Sequence, residues 1–136
     1  MLPAALLPGL AQAGQAVDAD LPLEAVLAGQ SYALENQQHR CALRKPDQSL
    51  LMLDIPWPCH FSISEPAKAH IETFQNVPIV MALHIKTLAD TPSECRSQYQ
   101  AIRLYKGELE PSVAGRYASC MRGKGDQKAY TGVFDW

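Results

Sequence analysis

No stretch of the chain approaches the roughly eighteen consecutive apolar residues of a membrane-crossing helix. Nor is there a Lys/Arg run. Twelve basic against fourteen acidic residues leave a formal net charge of −2, so neither a nucleic-acid nor an anionic-membrane surface is indicated. The densest basic stretch is the loose group Arg116, Arg122, Lys124 and Lys128. No serine lies in G-x-S-x-G, no H-E-x-x-H occurs, and no Gly-rich phosphate loop is present. The chain is therefore expected to be non-enzymatic and to need no cofactor. The absence of C-x-x-C, and of ligands at short spacings, argues against a zinc site. Internal repeats, low-complexity tracts and heptads are also missing.

What is present is a chain of single-domain length, with 47% hydrophobic and 19% charged residues, as in ordinary folded proteins. Its start reads differently from the rest. Leu2 to Leu10 is apolar apart from Pro and Gly, and Ala11-Gln12-Ala13 is a small-x-small triplet. Residues 1–13 are expected to be the remnant of a secretory signal lacking its charged front. Residues 14–21 are then a flexible leader, and 22–136 a single disulfide-stapled, β-rich domain. The four cysteines, Cys41, Cys59, Cys95 and Cys120, are even in number and follow that signal-like segment. Together these features point to two disulfides and a periplasmic or extracellular location. Four cysteines allow three pairings. Cys41–Cys59 and Cys95–Cys120 are favoured because each closes one local supersecondary unit.

Pro22 before Leu23–Ala28 and Gly29 after it predict a short helix, with Asp20 as its N-cap. Arg40–Arg44 and Leu50–Ile55 flank the turn Lys45–Gln48 and predict a hairpin. The continuous apolarity of Leu50–Leu53 predicts a central strand covered on both faces. Pro56-Trp57-Pro58 ends it, and Cys59–Ile63 resumes as strand. Ala69–Gln75 is weakly strand-like. Ile79–Thr87 is the clearest strand, with Ile79, Met81, Leu83 and Ile85 on one face and Val80, Ala82, His84 and Lys86 on the other. Thr91, Pro92 and Glu94 form a capping-box signature that predicts a helix running past Cys95. Further strands are expected at Ala101–Tyr105, on from the Lys106-Gly107 turn, and in Val113–Met121. About seven short antiparallel strands, in a partial barrel or sandwich with one or two short helices, follow from this inventory.

Two surfaces stand out as candidates for partner binding. Trp57, held between two prolines and followed by His60, presents an aromatic that would lose little entropy on association. Alternatively, Trp57 folds back over one end of the core. The second surface is Arg116, Tyr117, Arg122, Lys124, Asp126 and Tyr130 around the Gly123–Gly125 loop, where charge and backbone freedom combine. Ala114-Gly115-Arg116-Tyr117 followed by Lys124-Gly125-Asp126 resembles the tail pattern of small periplasmic lysozyme inhibitors. The resemblance covers these two segments, and the front half of the chain does not match. It implies a protein that occludes a hydrolase. The expected function is thus a small exported protein-binding domain, of inhibitor or immunity type. The alternatives are a small-ligand or copper carrier using His39, His60 and His84 with Met52 or Met81, or an accessory subunit of an envelope assembly.

Overall fold

The computed structural model describes residues 21–91, 93–121 and 123–136. The signal-like segment and all but the last residue of the leader lie outside the described residues. So do Arg122 and Pro92.

The first sheet is an antiparallel meander of β1 (Glu24–Leu27), β2 (Gln30–Gln37), β3 (Arg40–Arg44) and β4 (Leu50–Pro56). The helix predicted at Leu23–Ala28 is instead β1. Its alternation decides this: Ala25 and Leu27 are buried while Glu24 and Val26 face out, a period of two rather than 3.6. Ala28 and Gly29, at φ 49° and 80°, form a two-residue hairpin turn, so Gly29 turns the chain rather than ending a helix. Gln38 and His39 make a similar turn between β2 and β3, with the His39 N–H on Asn36 Oδ1 at 2.7 Å.

After β4 come β5 (His60–Phe61), a small ribbon of β6 (Ile63–Glu65) with β7 (Lys68–Ala69), and β8 (Glu72–Phe74). The long hairpin β9 (Val77–Thr87) and β10 (Cys95–Tyr105) follows. Next are β11 (Glu108–Pro111), β12 (Gly115–Tyr117) and the single described helix, α1 (Gln127–Thr131). In the second sheet β9 pairs with β5, β8 and β10, and β11 and β12 both lie along β10. The helix predicted from Thr91 is absent. Thr91 and Glu94 make one turn, with Glu94 N–H on the Thr91 carbonyl at 2.8 Å. From Cys95 onward the chain is held in continuous register with Thr87–Ile79, a non-local ladder that outweighs the local helix signal.

Two layers of core result. Leu27, Leu34, Leu43, Leu53 and Ile55 of the first sheet meet Phe61, Val80, Ala82 and Ile102 of the second. On the far side of the second sheet, Ile79, Met81, Leu83 and Ala101 pack under Tyr130, Val133 and Phe134. The strand covered on both faces is therefore β9, with the two faces that the sequence assigned. It is not β4, which is the edge of the first sheet and leaves Met52 and Asp54 outward.

The sheets join at one edge, where Phe61 N–H donates to the Pro22 carbonyl at 2.9 Å. At the other edge the Gln100 side chain bridges β4 and β10. Gln100 is buried, accepts the Asp54 N–H at 2.7 Å and donates to the Ser112 carbonyl at 2.7 Å. The molecule is thus a mainly antiparallel β partial barrel, carrying the expected pairs Cys41–Cys59 and Cys95–Cys120.

Candidate functional site

Cys41 in β3 and Cys59 before β5 are both buried, so their disulfide ties one sheet to the other through the core. It also anchors the Pro56-Trp57-Pro58 segment between them. Trp57 is half-buried against the core, and its N–H donates to the His39 carbonyl at 3.0 Å. The residue thus packs partly on the core and stays partly accessible. His60 is half-buried in β5, in register with Leu83.

Cys95 and Cys120 fasten the chain after β12 to the start of β10. Ser97 Oγ donates to the Ser119 carbonyl beside them, and Gly115–Tyr117 pairs with Ser97–Tyr99. Gly115 is required there, because a Cβ would overlap the Tyr99 ring, which stacks on Tyr117 at 4.9 Å. Gly115→Ala is expected to displace that ring at a cost of roughly 1–3 kcal/mol, checked by urea unfolding and near-ultraviolet circular dichroism. Loss of less than about half a kcal/mol would show that the ring moves freely.

The residues proposed around the Gly123–Gly125 loop do not form one surface. Arg116 and Tyr117 are exposed but point to opposite faces of β12. Lys124 is exposed, and Asp126 is the exposed N-cap residue of α1 without a side-chain cap bond. Arg122 is outside the described residues. Tyr130 is fully buried, so it cannot present itself to a partner. Its hydroxyl donates to the Lys124 carbonyl at 2.7 Å and accepts from Ser62 Oγ at 2.6 Å. His70 meets its ring edge-on, and Glu72 takes hydrogen bonds from His70 and Gln127. This network adds to the apolar packing of Tyr130, Val133 and Phe134 in holding α1 on the sheet.

Burial pushes the Tyr130 phenol up to about 12; the Ser62 hydrogen bond opposes this and the Glu72 charge adds to it. The folded state thus favours the neutral phenol. Its contribution is complete below pH 10 and is lost as pH rises through about 12. Tyr130→Phe is expected to cost about 2 kcal/mol at neutral pH by stranding Ser62 and the Lys124 carbonyl. It should also flatten the stability loss between pH 10 and 12. Urea midpoints across that range check both. An equally steep loss in the variant would place the titrating group elsewhere.

A face that the sequence did not single out lies where β9 and β10 run beyond the first sheet. Gln98 lines a shallow groove of ≈ 390 Å³ with His39, Arg40, Asp54, Ile55 and Pro56. In register with Gln98 are His84 on β9 and Arg116 on β12. His84 Nδ1 lies 2.7 Å from the Pro58 carbonyl, so that nitrogen carries the proton. Two positions further along the same face, Lys86 and Arg96 are direct cross-strand partners, both exposed. The strand pattern had placed His84 and Lys86 together. Arg96 and Gln98 went unseen because the capping box read as helix.

The residues named for a copper site do not converge. Met81 is buried beneath α1, Met52 faces outward from the first sheet, and His84 is engaged with Pro58. Among the described residues, no three His, Cys, Asp or Glu side chains are grouped to hold a metal. No described helix is long and apolar enough to cross a membrane. Comparison with protein-family models, with curated proteins and with solved structures finds no match.

Proposed function

We propose that this chain is a small exported binding protein, without catalysis of its own, that occludes a protein partner such as a hydrolase or toxin. The observation that carries the reading is the placement of the two disulfides. One locks the sheets together at the Trp57 corner, and the other pins the segment that bears Arg116 and Tyr117 to β10. Surface held rigid before contact loses less conformational entropy on binding. Two disulfides are compatible with an oxidising compartment outside the cytoplasm. Two surface grooves, one beside Gln98 and one beside Tyr32 and Leu109, are open to solvent, which suits a protein surface better than an enclosed small ligand.

The test is capture by immobilised, disulfide-intact protein from the extracytoplasmic fraction of its natural source. The expected result is one protein held in equimolar amount, whose own activity falls when bound. Capture should weaken when Cys95 and Cys120 are both serine. Retention of no protein by the intact form contradicts the reading.

A further inference from the structure

We infer that the extended face of β9, β10 and β12 recognises a carboxylate-bearing segment of the protein partner, with Lys86, Arg96 and Arg116 as the receiving charges. This rests on the binding-protein reading and adds the chemistry of the partner.

Like charges placed directly opposite one another on an antiparallel pair destabilise it. Lys86 and Arg96 are such a pair, about 5 Å apart at the backbone by ordinary strand spacing. Arg116 is on the same face, beside Gln98, one strand over. Cations in turns and on the helix, such as Lys45, Lys106, Lys124 and Lys128, are unpaired, but the other cations carried on described strands are each ion-paired, Lys68 with Glu65 among them. Arg44 pairs with Glu35, Arg40 with Asp54, and Arg103 with Glu110. Lys86, Arg96 and Arg116 make no ion pair with any described residue. Repulsion is thus retained where the strands project past the core and where the Cys95–Cys120 disulfide fixes the third cation in place. A functional surface commonly keeps such a local cost.

The shape of the charge favours a short acidic protein segment over a polyanion. At the backbone the three cations span roughly 10 Å across three strands and about 7 Å along them. Asp54 borders the groove on one side, and Asp90 and Glu94 occupy the hairpin tip on the other. A continuous phosphate backbone would meet those carboxylates. The nearby tyrosines Tyr99 and Tyr117 lie on the opposite face by alternation, so neither phenol ring is placed there for base stacking.

The experiment uses a defined probe, a synthetic Asp/Glu-rich peptide, with an oligonucleotide of equal charge as control. Binding is read by calorimetry at low and moderate salt, on wild type, Lys86→Glu and Arg96→Gln, alongside urea unfolding of each protein. Wild type is expected to bind the peptide more tightly than the oligonucleotide, and less tightly as salt rises. Lys86→Glu is expected to bind roughly ten-fold or more weakly, while its urea midpoint rises because repulsion becomes attraction. Arg96→Gln should also weaken binding, without a loss of stability. Equal peptide affinity in wild type and Lys86→Glu, tighter binding of the oligonucleotide, or a lowered midpoint in Lys86→Glu would each overturn the inference. Failure with the peptide while a protein is still captured rejects acid recognition alone. Failure of capture rejects the occlusion reading itself.

Discussion

Replacing Cys41 and Cys59 together by alanine should lower the unfolding free energy by about 3–4 kcal/mol. Most of this is the freedom regained by the unfolded chain across a separation of 18 residues, about 3 kcal/mol in the chain-entropy model. The remainder is lost packing, since both sulfurs lie in the core between the sheets. Removing Cys95 and Cys120 spans a longer separation, 25 residues, yet should cost less. Cys120 sits at the periphery, so the folded molecule can release that segment locally and recover part of the entropy. Urea unfolding of both double variants under non-reducing conditions decides the order. A larger loss for the Cys95–Cys120 variant would mean that the barrel depends on the β10–β12 corner rather than on the inter-sheet tie.

The second large effect is expected at Arg103. Its side chain is almost fully buried, pairs with Glu110 at 2.8 Å and donates to the Asp135 carbonyl at 2.9 Å. The guanidinium also lies 4.1 Å from the Tyr105 ring centroid and 4.6 Å from those of Phe134 and Trp136. Arg103→Ala should cost about 3 kcal/mol. It opens space beneath three aromatics and leaves the Asp135 carbonyl without its donor. The half-exposed Glu110 is re-solvated, which keeps the loss below that of a fully buried pair. The measurement is thermal unfolding with tryptophan fluorescence, because Trp136 reports directly on the site. A loss below about 1 kcal/mol would show that the C-terminal aromatics pack without the cation.

The parts of this fold that were legible in the sequence are those fixed by local signals. Alternation in Ile79–Lys86 gave both faces of β9, and the spacing of the cysteines within supersecondary units gave the pairing. Turn residues marked the β3–β4 and β10–β11 connections. Non-local pairing was illegible. Leu23–Ala28 carries helix punctuation, but pairing with β2 captures it as a strand, and the Phe61 N–H holds the preceding Pro22 carbonyl. Thr91–Glu94 carries a capping box, but the long hairpin overrides it, and with it the register that sets Arg96 against Lys86. Tyr130 looked like a surface residue because polar neighbours surround it in sequence. Its burial depends on Ser62, which is 68 residues away. Arg103 likewise reveals its role only through a chain end 32 residues distant.

What the whole account requires is covalent sulfur pairing in the working molecule, since both the rigid platform and the proposed residence outside the cytoplasm depend on it. Thiol counting on protein taken from its natural source, alkylated before lysis and mapped without reduction, addresses this directly. The expected outcome is no alkylated cysteine and two linked peptides, Cys41 with Cys59 and Cys95 with Cys120. Four alkylated cysteines, or a Cys41 peptide joined to Cys95 or Cys120, would contradict it.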